Sequence, residues 1–134
     1  MRASADPHIL FVEDNPDDAD LARWYLAKAG IVFTCSMVWT ADELIEQLEQ
    51  RCPDLIISDF VIPGFDGWAA FRVARAMVPA VPFIFHSDGI GEARCKIATT
   101  LGAFACVEKD HAAVMVDAAK RALSGHAEGT QAVG

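Results

Sequence analysis

Asp59 stands at the end of the apolar run Leu55-Ile56-Ile57-Ser58, directly before the turn-rich stretch Phe60-Val61-Ile62-Pro63-Gly64-Phe65-Asp66-Gly67. Glu13-Asp14 closes an earlier apolar run, Ile9-Leu10-Phe11-Val12. Short apolar runs bounded by turn residues read as buried strands, which places these acids at strand ends. Two later runs end in Ser87 and Lys109. When such ends converge, Glu13, Asp14 and Asp59 share one pocket. At an effective dielectric near 20, a like-charged pair about 4 Å apart costs roughly 4 kcal/mol. Proton uptake or a cation must relieve that repulsion. An oxygen-only, carboxylate-rich site suits Mg²⁺. Lys109 adds a compact positive charge and Ser87 a hydroxyl donor. Metal, ammonium and hydroxyl together match the three outer oxygens of a phosphoryl group, with Asp59 as the carboxylate nucleophile.

The elements that must position these residues are legible as an alternation of strands and helices. Strand Ile9–Val12 precedes a helix over Pro16–Ala29, with Asn15 as N-cap, Pro16 at the first helical position, Asp17 and Asp18 at the positive helix end, and Gly30 as the stop. A weaker strand follows around Val32–Cys35, extending toward Val38. Thr40-Ala41-Asp42-Glu43 has the capping-box form for a helix running to about Gln50. Strand Leu55–Ser58 follows Pro53, and Gly67 opens a helix that Pro79 stops. Strand Phe83–His86, helix Glu92–Leu101 with Gly102 as its end, strand Ala105–Glu108 and helix His111–Leu123 complete the series, the last with Val114, Met115 and Ala118 inward. This (βα)5 pattern predicts an α/β flavodoxin-like fold, a doubly wound parallel sheet of strand order 2-1-3-4-5. That order makes strands 1, 3, 4 and 5 neighbours, so their carboxyl ends converge. The expected organisation is an N-terminal extension over 1–7, one domain over 8–124, and a disordered tail over 125–134.

Composition bounds the function. A chain of 134 residues, 53% hydrophobic and 22% charged, supports one domain with a real core. The net charge of −8, with no Lys/Arg cluster, argues against nucleic-acid partners. The four cysteines, at 35, 52, 95 and 106, have no zinc-ligand spacing and read as small core residues of a reducing compartment. The first apolar run is too short for a signal peptide or a membrane span, so a cytoplasmic location without membrane contact is expected.

The chain resembles response-regulator receiver domains from about His8 to Leu123. The resemblance is carried by Leu10-Phe11-Val12-Glu13-Asp14-Asn15, Ser58-Asp59 through Pro63-Gly64-Phe65-Asp66-Gly67, Pro82-Phe83-Ile84-Phe85-His86-Ser87, and Gly102-Ala103 followed by Lys109. It implies a phosphoacceptor: Asp59 takes a phosphoryl group from the phosphohistidine of a sensor histidine kinase or histidine phosphotransfer protein. It further implies that Asp14, Asp59 and the Val61 carbonyl ligate Mg²⁺, with Glu13 acting through water. Ser87 and Lys109 then bind the phosphoryl oxygens and couple them to a shape change. The signalling surface implied is the fourth helix, fifth strand and last helix, where a homodimer could also form. Asn15-Pro16-Asp17-Asp18-Ala19-Asp20-Leu21, Phe83-Ile84-Phe85 and Gly89-Ile90-Gly91-Glu92 further resemble small receivers found alone or fused to sensor kinases, including those paired with bacterial phytochromes. The expected protein is a stand-alone receiver rather than an enzyme.

Three positions depart from the family pattern. Asp88 follows Ser87 where Ala or Gly is usual, Asp110 follows Lys109 where a cis proline is usual, and Cys106 takes the place of the switch aromatic, with Phe104 nearby. A cis bond before Asp110 would cost roughly 2.5–4 kcal/mol, so a trans turn is expected there. These departures motivate a second reading, a degenerate receiver acting as a constitutive adaptor. A small phosphohydrolase would need an acid two residues after the nucleophile, and that position is Val61. His86 beside Ser87 suggests a triad, but adjacent strand residues face opposite ways. Asp17, Asp18 and Asp20 read as helix-start charges, Asp66 as a turn residue, and Trp24, Trp39 and Trp68 as partial core or interface residues.

Overall fold

The computed structural model describes residues 6–132, with side chains described through Ser124. Its elements are β1 (His8–Val12), α1 (Pro16–Lys28), β2 (Thr34–Val38), α2 (Ala41–Gln50), β3 (Leu55–Ser58), α3 (Gly67–Met77), β4 (Phe83–Ser87), α4 (Glu92–Thr100), β5 (Ala105–Glu108) and α5 (Ala112–Ala132). The five strands form one parallel sheet of order β2-β1-β3-β4-β5. This is the flavodoxin-like topology expected from the alternation. β2 lies later than its expected start at Val32, because Thr34 rather than Val32 pairs with His8. α5 continues through Ala132, across much of the expected tail. Residues 1–5 of the expected N-terminal extension, and 133–134 of that tail, lie outside the described residues.

Successive side chains of a strand face opposite sides, so each apolar run supplies two cores. Leu10, Val12, Ile56, Phe83 and Phe85 pack with residues of α2 and α3 on one face. Ile9, Phe11, Leu55, Ile57, Ile84 and Val107 pack with residues of α1 and α5 on the other. On α5, Met115, Ala118, Ala119 and Ala122 point inward, whereas Val114 is exposed, contrary to expectation. The inward set is spaced at helical period, and Val114 falls off that stripe. The core expectation for the cysteines holds only in part: Cys35, Cys95 and Cys106 are partly buried against the two cores rather than within them. Cys95 and Cys106 form a disulfide between α4 and β5, and Cys52 is exposed. Neighbouring elements brought that pair together, a relation that linear spacing does not encode.

Local sequence fixes where each helix begins relative to the sheet edge. Asn15 accepts from the amides of Asp17 and Asp18 at 2.9 and 3.4 Å, and Thr40 from Glu43 at 3.1 Å. Asp66, expected as a turn residue, caps α3 by accepting from the Ala69 amide at 2.8 Å. The β3–α3 loop then folds back, with the Gly67 amide donating to the Phe60 carbonyl at 2.8 Å. A Cβ at Gly67 would lie 2.7 Å from Phe60 Cα and 2.9 Å from its carbonyl oxygen, which are backbone atoms unable to move aside. Phe60 in turn packs edge-on against Trp68 and Phe85, centroids 5.1 and 5.7 Å away. Gly67→Ala is expected to destabilise the domain by about 1–3 kcal/mol through this overpacking. Urea unfolding with an unchanged slope measures it, and an unshifted midpoint would contradict the close-approach account.

Candidate functional site

Main-chain hydrogen bonds continue the sheet one residue past its strands and thereby aim the polar residues. The Asp59 amide donates to the Val12 carbonyl at 2.9 Å, and the Lys109 amide to the Ser87 carbonyl at 3.1 Å. The Glu13 amide donates to the Val38 carbonyl at 2.9 Å. Glu13, Asp59 and Lys109 each follow by two residues a strand residue packed on the α1/α5 face, namely Phe11, Ile57 and Val107. Their side chains meet at the carboxyl edge of the sheet.

Lys109 is the hub. Its Nζ lies 2.8 Å from Glu13 Oε1, 2.7 Å from Asp18 Oδ2 and 3.0 Å from Asp59 Oδ2. Asp59 Oδ1 accepts from Ser87 Oγ at 2.6 Å and from the amides of Phe60 and Val61 at 2.6 and 3.2 Å. Carboxylate oxygens of Glu13, Asp14 and Asp59 lie within 4.8 Å of one another. Every sequence-expected site side chain therefore reaches one pocket. Val61 sits beside it through its amide, while its side chain is exposed.

The electrostatics follow from these contacts. Burial works against ionisation of Asp59, but hydrogen bonds from Ser87 and Lys109 outweigh it and hold the carboxyl below its ordinary value. Burial lifts the Glu13 carboxyl above the usual range against the Lys109 hydrogen bond, and the Asp59 charge adds to the rise. Burial also opposes the charge of Lys109, yet its carboxylate partners overcome this and raise its pKa. One ammonium serves several carboxylates, leaving the pocket net negative. The donor set of Glu13, Asp14 and Asp59 is hard oxygen and closely grouped, which fits Mg²⁺.

Asp18 joins the pocket, although its sequence position reads only as a helix-start charge. It was detectable by helical phase: Ala22 and Leu26, four and eight residues on, are buried, so Asp18 lies on the inward stripe of α1. Asp17 and Asp20 are exposed and stay outside the pocket, with Asp20 paired to Arg23. Asp88 is exposed, the Asp110 side chain is 80% exposed, and no cis peptide occurs among the described residues. Two of the departures from the family pattern thus point to solvent.

His86 is not part of a triad. Ser87 donates to Asp59, whereas His86 Nε2 is buried without a hydrogen-bond partner among the described residues. The ring borders a cavity of about 30 Å³ on the α1/α5 side, shared with Tyr25 and Met115. Burial, aided by the Lys109 charge, lowers its pKa to about 4.

A five-stranded parallel sheet of this order, with a lysine-bridged acidic pocket at its carboxyl edge, places the chain among flavodoxin-like α/β domains. Residues 9–120 match the response regulator receiver domain, and the chain belongs to that family, the phosphoacceptor domain of two-component systems. It is 36% identical over 77 residues to the DNA-binding transcriptional regulator NtrC of Escherichia coli K12, a match covering 54% of this chain and 16% of that protein. It is 32% identical over 120 residues to the transcriptional activator protein ExaE of Pseudomonas putida, covering 89% of this chain and 56% of that protein. The chain thus spans less than two thirds of these curated relatives. Among solved structures, the signal receiver domain of a signal transduction histidine kinase from Syntrophus aciditrophicus is 29% identical, with a TM-score of 0.74 over 89% of this chain and 91% of that one. A CheY-like receiver domain protein from Methanospirillum hungatei JF-1 shares the fold at 19% identity, with a TM-score of 0.79 over 92% and 98% of the two chains. No helix among the described residues is long and apolar enough to cross a membrane.

The burial of His86 gives a pH dependence with a definite sign. Unfolded, the ring takes a proton near pH 6.5, and folded it stays neutral down to about pH 4. The stability tied to its neutral form is therefore complete above the unfolded value and is lost as pH falls from 6.5 towards 4, by roughly 3 kcal/mol. His86→Leu should remove most of that loss, read as urea midpoints at about pH 7 and about pH 4.5. Identical acid sensitivity in both proteins would contradict the assignment.

Proposed function

We propose that this chain is a receiver that accepts a phosphoryl group on Asp59 from the phosphohistidine of a sensor histidine kinase or histidine phosphotransfer protein. The observation that carries the reading is the double grip on Asp59: Ser87 Oγ on one oxygen at 2.6 Å and Lys109 Nζ on the other at 3.0 Å. A carboxylate oxygen attacks phosphorus, the phosphorus–nitrogen bond breaks, and the imidazole departs and recovers a proton. Ser87 and Lys109, already beside the carboxylate, transfer their hydrogen bonds to the phosphoryl oxygens where charge accumulates. The amides of Phe60 and Val61 keep Asp59 from rotating away. Glu13, Asp14 and Asp59, with the Val61 carbonyl, would hold Mg²⁺. When bound, that ion offsets the pocket's negative charge and that of the phosphoryl oxygens.

Stand-alone action in the cytoplasm belongs to the same proposal, the signal passing to partners, or to a second copy of the chain, by a biased two-state equilibrium. Ile97 and Leu101, 52% and 56% exposed, offer apolar contacts at α4. The constitutive-adaptor alternative has less support, since Asp88 and Asp110 leave the pocket untouched. Incubation with Mg²⁺ and acetyl phosphate is expected to add one phosphoryl mass to the wild-type chain and none to Asp59→Asn or in the presence of EDTA. A wild-type chain that gains nothing would overturn the reading, as would Asp59→Asn labelled to the same extent.

A further inference from the structure

The Cys95–Cys106 disulfide joins α4 to β5 across a sequence separation of 11, with Cα atoms 5.4 Å apart. Both cysteines line an open groove of about 610 Å³, together with Glu92, Ala93, Lys96 and Thr99. A bond on such a groove is within reach of a small thiol, unlike one sealed in a core. Cross-links restrain the unfolded chain more as the loop they close grows, so this short span acts as a local clamp more than a global staple. A domain of this size also closes its core without disulfides.

Besides this bond, α4 is held by shallow packing and by Arg94, whose guanidinium lies 5.2 Å from the Phe60 ring centroid. Ala98 is its one buried residue, and Gly91 before it supplies no side-chain cap. The loop leading into it begins at Ser87 and contains Gly89 and Gly91 with φ of 67° and 86°. Their amides donate to Glu108 Oε1 and Oε2 at 2.8 and 3.4 Å. Glu108 immediately precedes Lys109. The segment from Ser87 into α4 is therefore tethered twice to β5, by the Glu108 carboxylate and, one turn into the helix, by the Cys95–Cys106 bond. Hydrogen bonds can rearrange when Ser87 finds a new acceptor, and the covalent tether cannot.

We propose that Cys95–Cys106 is a reversible thiol–disulfide switch that locks α4 against β5 when oxidised and releases it when reduced, so deciding whether occupancy of the Asp59 site reaches α4. The lock stands on the geometry above, and its signalling consequence rests on the phosphoacceptor reading. For reduction, the thiolate of a low-molecular-weight thiol attacks one cysteine sulfur. A mixed disulfide forms, and the other cysteine leaves as a thiolate that takes up a proton. A second small thiolate attacks the small-molecule sulfur of the mixed disulfide and releases the remaining cysteine. The products are two protein thiols and one small-molecule disulfide, so two electrons and two protons have moved to the cysteine pair. Oxidation reverses these steps with the small-molecule disulfide as oxidant.

The test uses the full chain carrying Cys35→Ser and Cys52→Ser, equilibrated in a series of reduced-to-oxidised glutathione buffers. Mass spectrometry reads the thiol state, and hydrogen exchange reads residues 92–100. The pair is expected to open and close within the series, with α4 amides exchanging about tenfold faster in the reduced form. Cys95→Ser and Cys106→Ser, two separate variants, should both match the reduced form whatever the buffer. Beryllofluoride with Mg²⁺ should alter α4 exchange in the reduced form alone. A bond that never opens, or equal α4 exchange in both states, overturns the switch. Acetyl phosphate labelling of both forms separates the two readings. Its absence in both sinks the phosphoacceptor reading and the signalling consequence, while the exchange difference decides the lock.

Discussion

The ammonium of Lys109 is the constraint around which the carboxyl edge of the sheet is arranged. It touches Glu13, Asp18 and Asp59, which come from the end of β1, the first turn of α1 and the end of β3. The Lys109 and Asp59 side chains are each 11% exposed, so neither is well solvated. Removing one partner of a buried charge pair typically costs about 3–5 kcal/mol, because the other charge is stranded. Here the stranded charges would be several carboxylates that also repel one another. The pocket tolerates its acids because β5 delivers this lysine into their midst.

Delivery depends on features far from chemistry. The β4–β5 pairing sets Ser87 opposite Glu108, and the next amide, that of Lys109, bonds back to the Ser87 carbonyl. β3 is held between β1 and β4, so Asp59 emerges beside Glu13 and within reach of Ser87. Beneath them, Phe60, Trp68, Phe71, Phe83 and Phe85 pack edge-on or tilted with centroids 4.9–5.7 Å apart. Such aromatic contacts resist small displacements of the β3–α3 loop. The fold thus supplies close aromatic packing on one side and, on the side where the disulfide sits, an α4 that buries only Ala98.

Much of this was legible in the sequence because the chain is locally consistent. Apolar runs of strand length, Pro and Gly at their borders, and Asn15 and Thr40 at helix starts all point to one topology. Glu13, Asp14, Asp59, Ser87 and Lys109 could be placed at converging edges because a parallel sheet sends successive strand ends the same way. What sequence order hid was proximity between faces. Asp18 needed the phase of α1 against its neighbours before it could be seen facing Lys109. Cys95 and Cys106 are linked by helix-to-strand packing, for which spacing along the chain carries no signal. Val114 reads as core because it is apolar, but the α5 stripe runs through Met115, Ala118, Ala119 and Ala122.

With one lysine among Glu13, Asp14, Asp18 and Asp59, the pocket is short of positive charge, and the proposed phosphoacceptor chemistry requires a divalent cation to supply it. Calorimetric titration with Mg²⁺ reads that shortfall. Saturable one-site binding is expected for the wild-type chain, and its loss in Asp14→Asn, a carboxylate outside the Lys109 ion pairs. Absence of binding to the wild type, or equal binding to both proteins, would contradict it.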